Sequence, residues 1–323
     1  MTGQKIVVTR RIPEQGLDLL RKHGRVFMWD FEEEAIPRDI LLKEIREADG
    51  LYTNVADLID KELLDHAPNL KVISTMAVGF DNIDVNEAAR RNIPVGHTPG
   101  VLTETTADLT FALLMASARR VVEGSDYVRQ GRWRSWEPML MVGQDIYGAT
   151  IGIIGMGRIG EGVGRRATGF DMNILYHNRS RRPEIEESLN ARYCSLEELL
   201  EQSDFVVLLA PGSDETRHLI GEAEFKRMKS NAVFINASRG TNVDEKALYE
   251  ALKSKEIWGA GLDVFEVEPI SSDHPLLTLP NVTVLPHIGS ASIKTRIKMS
   301  VMTAENLIAG LTGRELPFKV NID

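Results

Sequence analysis

The sequence predicts an α/β protein built from two doubly wound parallel-sheet domains. Short β-branched runs alternate with helical patterns from the first residues, as in a parallel sheet covered by helices. The alternation halts once, for a long helical tract, and then resumes almost to the end of the chain. At 323 residues the chain also exceeds what one core serves, since single hydrophobic cores stop growing at roughly 250–300 residues.

In the first stretch the strand-like runs are "KIVVT", "RVFMW", "GLYT", "LKVISTM" and "IPVGH". Between them lie the helical patterns "EQGLDLLRKHG", "RDILLKEIREA", "LIDKELLDHA" and "VNEAARRN". Pro99-Gly100 opens the helical tract that runs on to "YVRQGRW" and marks the first seam. Strands resume at "ATIGIIG", "MNILYH", "FVVLLA", "AVFINA", "IWGAGLDV" and "VTVLPH". The helices among them are "RIGEGVGRRATGF", "SLEELLEQS", "EAEFKRMK" and "VDEKALYEALKSK". Ser195 with Glu198 reads as a capping box, and a last helix at about 291–310 ends at Gly310.

Composition narrows the class. A 43% hydrophobic, 26% charged chain buries ordinary cores. Its net charge of -9 argues against a nucleic-acid surface, which needs a broad basic stripe. Cys194 is the single cysteine and the chain opens on the polar "TGQKIVVTR", a pattern expected of a reduced, cytoplasmic compartment. The apolar run "ADLTFALLMASA" is too short and interrupted to span a bilayer, so no membrane partner is expected. No metal site is expected either.

Gly155, Gly157 and Gly160 stand in GxGxxG spacing between a strand and a helix, with Arg158 and Ile159 among them. The first glycine permits a tight turn, the second lets backbone approach a pyrophosphate, and the third brings helix against strand. Strand, turn, helix and second strand fall in order, so a dinucleotide site is the reading. The second strand ends at Asn178-Arg179-Ser180, where a carboxylate would grip the free ribose hydroxyls of NAD(H). Arginine with Ser and Asn instead donates to a 2'-phosphate dianion, which favours NADP(H), with NAD(H) the second cofactor open to the site. Arg181 and Arg182 either add positive field or form a solvated charge run before Pro183.

Arg239, Glu268 and His287 each follow a predicted strand, where ligands bind in open α/β sheets. Taken singly they read as a salt-bridged arginine, a solvated turn carboxylate and a satisfied imidazole. Beside a nicotinamide they divide the work of carbonyl reduction. An imidazolium donates the proton that the developing alkoxide needs, a glutamate fixes its tautomer, and an arginine holds the substrate carboxylate.

With these stretches in view, the chain resembles the D-isomer-specific 2-hydroxyacid dehydrogenase family over nearly its whole length. The motifs are "TMAVGFDNIDV", "HTPGVLTETTAD", "GIIGMGRIGEGVGRRA", "INASRGTNVDEKAL", "GAGLDVFEVEP" and "LPHIGSAS". Within that family it is most similar to the glyoxylate/hydroxypyruvate reductases and the bacterial 2-ketogluconate reductases. It departs from the usual pattern at Phe80, where tyrosine is common, and at Thr241, where proline is. The resemblance implies reduction of small 2-oxo acids to D-2-hydroxy acids, with Arg239 binding substrate and Glu268 and His287 as the acid–base pair. It implies backbone donors to the substrate at Val78 and Gly79, and cofactor contacts at Thr105, near Ala237, at Asp263, at His287 and at Gly289. It also implies a flavodoxin-like substrate domain, residues 1–99 plus 291–323, and a Rossmann cofactor domain, 100–290. A homodimer would form through the arm at about 120–148, whose tryptophans either staple the dimer or bring Trp136 to the partner's active site. Glutamine in place of Glu268 would have pointed to formate dehydrogenase. An NAD-dependent phosphoglycerate dehydrogenase and a nicotinamide-sensing corepressor remain the alternatives.

Overall fold

Burial on both faces explains why the inner strands read as unbroken apolar runs, while the edge strands Arg25–Met28 and Val282–Val284 are only partly buried. The computed structural model describes residues 3–321. The chain divides into two units: one runs up to Leu102 and resumes at Ala291, and the other is Thr103–Ser290.

The first unit carries β1 (Lys5–Val8), β2 (Arg25–Met28), β3 (Gly50–Thr53), β4 (Val72–Thr75) and β5 (Val95–Gly96). All pairings are parallel, in the order β2-β1-β3-β4-β5, which is the flavodoxin-like winding. Alternate residues serve opposite cores, as the two-residue period of a strand requires. Ile6, Val8, Tyr52 and Val72 face Leu17, Leu20 and the C-terminal helix, while Val7, Leu51 and Ile73 face Leu41, Leu63 and Ala88.

The C-terminal helix, Ile293–Leu311, belongs to this unit. Asn306 fixes it there: its Nδ2 donates to the His97 carbonyl at 3.0 Å and its Oδ1 accepts from the Phe318 N–H at 3.0 Å. Gly310 does not end the helix as expected. It lies inside the last turn because a Cβ there would come within 2.6 Å of Val72, and the chain reverses only at Gly313, at φ +69°.

The second unit carries β6 (Thr150–Ile154), β7 (Asn173–His177), β8 (Arg192–Tyr193), β9 (Phe205–Leu208), β10 (Val233–Asn236), β11 (Gly259–Leu262) and β12 (Val282–Val284). The parallel order β12-β11-β10-β9-β6-β7-β8 is a Rossmann winding with one strand added, and it reverses direction between β6 and β9. The fold class is therefore the predicted one, and several local readings change. The long helical tract is two helices, Thr103–Ala118 and Val121–Arg129, parted where Arg120 adopts φ +53°. Helix Pro183–Leu189 and the short β8 were not anticipated, although Pro183 at the first helical position is a helix-start signal. The capping box at Ser195 is half made. Its hydroxyl accepts from the Glu198 N–H at 3.1 Å, while the Glu198 carboxylate turns to Arg192. Among the described residues, no helix is long and apolar enough to cross a membrane.

Candidate active site

The glycine turn after β6 stands at the sheet's switch point, and its sequence is explained position by position. Gly155 has φ +101°, and a Cβ on it would meet the backbone of Leu209 and Ala210 at 2.6 Å. Gly160 lets the helix Arg158–Thr168 close on the Gly155 carbonyl, 2.5 Å from where its Cβ would lie. A Cβ on Gly157 would meet nothing within 4 Å, so the backbone at the start of that helix faces open space. An unobstructed helix N-terminus beside a switch point is what a pyrophosphate requires. Arg158 is the first helical residue and Ile159 leans on the core. Arg166 binds Glu104 and Asp108, which ties this helix to the one opening at Thr103 and places Thr105 in the latter's first turn.

After β7 the polar residues take distinct tasks. The Asn178 amide braces the glycine turn, accepting from the Met156 N–H at 2.6 Å and donating to its carbonyl at 3.3 Å. Ser180 is exposed on the same turn. Arg179 is 89% exposed, with one long contact of 3.4 Å to Glu215. Arg181 is engaged by both Glu186 oxygens, at 2.7 and 2.6 Å. Arg182, only 33% exposed, reaches back to the Met156 carbonyl at 3.1 Å and to Glu184 at 2.7 Å. Its place against the glycine turn carries no signal in the sequence, because it depends on how the turn folds back.

The three chemical residues belong to loops that follow β10, β11 and β12 of this one unit. His287 Nδ1 and Glu268 Oε2 are 2.7 Å apart. Glu268 Oε1 accepts from the Phe265 N–H at 2.9 Å, so both its oxygens are fixed. Burial pushes the Glu268 carboxyl up, but the His287 hydrogen bond and charge, the Phe265 N–H and Arg239 outweigh it and hold the group below its ordinary range. His287 takes φ +54°, and its N–H donates to the Asp263 carbonyl at 2.9 Å.

Asp263 is 1% exposed and accepts from the N–H groups of Ile288 and Gly289, both at 2.8 Å. Burial pushes its carboxyl up despite those donors. Around Arg239, Asn236 gathers the Ser238 N–H and hydroxyl on its Oδ1 and donates to the Arg239 carbonyl at 3.0 Å. Gly240 lies so close to the Phe265 backbone that a Cβ would overlap it, which sets the Arg239 loop against the loop bearing Glu268. Ala237 directly follows β10, its N–H 3.4 Å from the Leu208 carbonyl. In the other unit, Val78 and Gly79 lie on the loop after β4, where the Val78 carbonyl pairs with His97 Nδ1 at 2.9 Å.

Known proteins align with this layout. The family described as D-isomer specific 2-hydroxyacid dehydrogenase, NAD binding domain, matches residues 111–289. The glyoxylate reductase of Korarchaeum cryptofilum (strain OPF8) is 52% identical over 319 residues, 98% of this chain and 96% of that protein. Among solved structures, a protein from Thermus thermophilus is 46% identical, with a TM-score of 0.92 over 98% of this chain and 100% of that one. An NADPH-dependent glyoxylate/hydroxypyruvate reductase from Sinorhizobium meliloti, crystallised with NADP and malonate, is 33% identical, with a TM-score of 0.84 over 99% of this chain and 97% of the other. The chain belongs to the D-isomer specific 2-hydroxyacid dehydrogenase family.

Proposed function

We propose that the protein is a glyoxylate reductase that prefers NADPH and reduces small 2-oxo acids, hydroxypyruvate and 2-ketogluconate among them, to D-2-hydroxy acids. The observation that carries this reading is the 2.7 Å His287–Glu268 pair standing with Arg239 on loops of a dinucleotide-binding unit. A bound nicotinamide supplies the hydride. Arg239 takes the substrate carboxylate through its guanidinium fork and polarises the neighbouring carbonyl. Glu268, kept ionised below its ordinary range, accepts from His287 Nδ1 and leaves Nε2 to deliver a proton to the carbonyl oxygen.

Asp263 orders the backbone of Ile288 and Gly289 beside the imidazole and, with the backbone at Ala237, would hold the nicotinamide carboxamide. The glycine turn and Thr105 would receive the pyrophosphate and Arg179 and Ser180 the 2'-phosphate, with Asn178 as the brace of the glycine turn. Cellular NADP pools are usually reduced, so reduction is the working direction. Two copies associate through the arm at about 120–148, where Trp136 and Met139 are exposed.

The test is the ratio of kcat/KM for NADPH over NADH with glyoxylate. The expected ratio exceeds about ten, or ~1.4 kcal/mol of discrimination. A ratio at or below one would remove the 2'-phosphate assignment. NADPH binding without turnover of any 2-oxo acid would overturn the enzyme reading in favour of a sensor.

A further inference from the structure

We propose that Glu245 is a positioning residue for the acid–base pair, acting by tying together both ends of the loop that carries Glu268. The proposal rests on the assignment of Glu268 and His287 made above. Glu245 opens the helix Glu245–Lys253, where Asp244 is the N-cap, and a carboxylate is well placed in that first turn. One oxygen, Oε1, accepts from the Glu266 N–H at 2.7 Å. The other, Oε2, meets His274 Nε2 at 3.3 Å. Glu266 and His274 bracket the loop, and Glu268 lies between them.

The His274 ring has a readable tautomer. Its Nδ1 accepts from the Leu276 N–H at 3.3 Å, as the N-cap of the short helix Pro275–Thr278, so Nε2 carries the hydrogen that points at Glu245. Between the brackets the loop is thinly packed. Val267 is 72% exposed, and Ile270 alone of its apolar side chains leans on the core. Its shape therefore depends on polar ties, and the tie at its two ends sets where the Glu268 carboxylate lies relative to His287 Nδ1.

The charged groups around this tie are known. Glu245 is faced by Glu266, Glu268 and His274. Glu266 is held in turn by Arg217 at 2.8 Å and His218 at 3.3 Å. Glu268 and His287 are faced by Arg239 and Asp263. Burial of the Glu245 carboxyl raises its pKa, and the Glu266 N–H offsets part of that rise.

The test compares Glu245→Ala and His274→Asn with the parent enzyme. Asparagine keeps a side-chain acceptor for the Leu276 N–H while withdrawing the imidazole from Glu245, so that variant spares the fold. Turnover of glyoxylate with NADPH is measured across pH and normalised to folded protein by titrating NADPH sites. Glu245→Ala is expected to lose about tenfold to a hundredfold in kcat, the scale of a misplaced catalytic group, with an unchanged NADPH Kd. The acid limb of kcat moves to higher pH, because the loss of the His287 hydrogen bond that helps to hold the Glu268 pKa down outweighs removal of the neighbouring Glu245 charge. His274→Asn moves both readouts in the same direction by less. Unchanged kcat and an unmoved acid limb in both variants, with only a lower melting temperature, would overturn the proposal and leave a structural contact. His287→Ala is run in parallel. If it is inactive, an unmoved Glu245→Ala sinks this inference alone; if it turns over normally, the acid–base assignment falls and takes the inference with it.

Discussion

Three arginines follow Asn178, and their surroundings decide which can serve a phosphate. A long, exposed ion pair such as Arg179–Glu215 is worth little, so Arg179 can leave Glu215 for a dianion at almost no cost. Arg181 would have to abandon a bidentate carboxylate, and Arg182 is already lodged against the glycine turn. Arg179→Asp is therefore expected to weaken NADPH by about tenfold or more, as loss of one charge-assisted contact does, while leaving NADH unchanged. Fluorescence titration of both cofactors checks this, and equal losses for the two would remove Arg179 from the site. Arg239, Glu268 and His287 could be singled out because each lies on a loop that follows a predicted strand, and the structure brings Glu268 and His287 within 2.7 Å. The bracing role of Asn178 and the Glu245–His274 tie could not be singled out. Both depend on side-chain direction between residues far apart in the chain, which no local pattern records.

At the scale of elements, the turn after β7 is held by the helix behind it. The Tyr176 hydroxyl accepts from the Arg182 N–H at 2.7 Å and donates to Glu186 at 2.7 Å, and Glu186 grips Arg181. The Arg181 and Tyr176 hydrogen bonds, led by Arg181, hold the Glu186 carboxyl at about 2, well below its ordinary 4.5. A depressed carboxyl contributes stability that is fully present above its unfolded pKa and is lost as pH falls through the folded one. Stability of the parent should therefore decline between pH 4.5 and about 2 more steeply than that of Glu186→Gln. Urea unfolding at several pH values in that window tests it, and parallel slopes would show that the pair contributes nothing measurable. The sequence announced most elements here because their inner strands are buried on both faces and read as apolar runs. It did not announce β8, two residues long, or the break at Arg120, where a non-glycine residue takes a left-handed conformation that composition does not signal.

On the scale of the whole molecule, a chain with net charge -9 still exposes several large apolar side chains along one segment. Trp136 is 78% exposed, Met139 74% and Tyr147 73%, all within the arm that follows the helix Val121–Arg129. Large exposed apolar patches on soluble proteins mark interaction sites, and tryptophan is enriched where binding energy concentrates. A second copy of the chain is the partner proposed for this arm, and sedimentation velocity over a range of concentrations should find a dimer. Trp136→Glu places a charge in that contact and should raise the dimer dissociation constant by about thirtyfold or more, the ~2 kcal/mol of an interface hot spot. Its NADPH affinity should not change, because the glycine turn and the residues from Asn178 to Arg182 all belong to one unit of one chain. A parent that sediments as a monomer would discard the dimer. A Trp136→Glu variant that loses NADPH along with its partner would mean that the second copy completes the cofactor site.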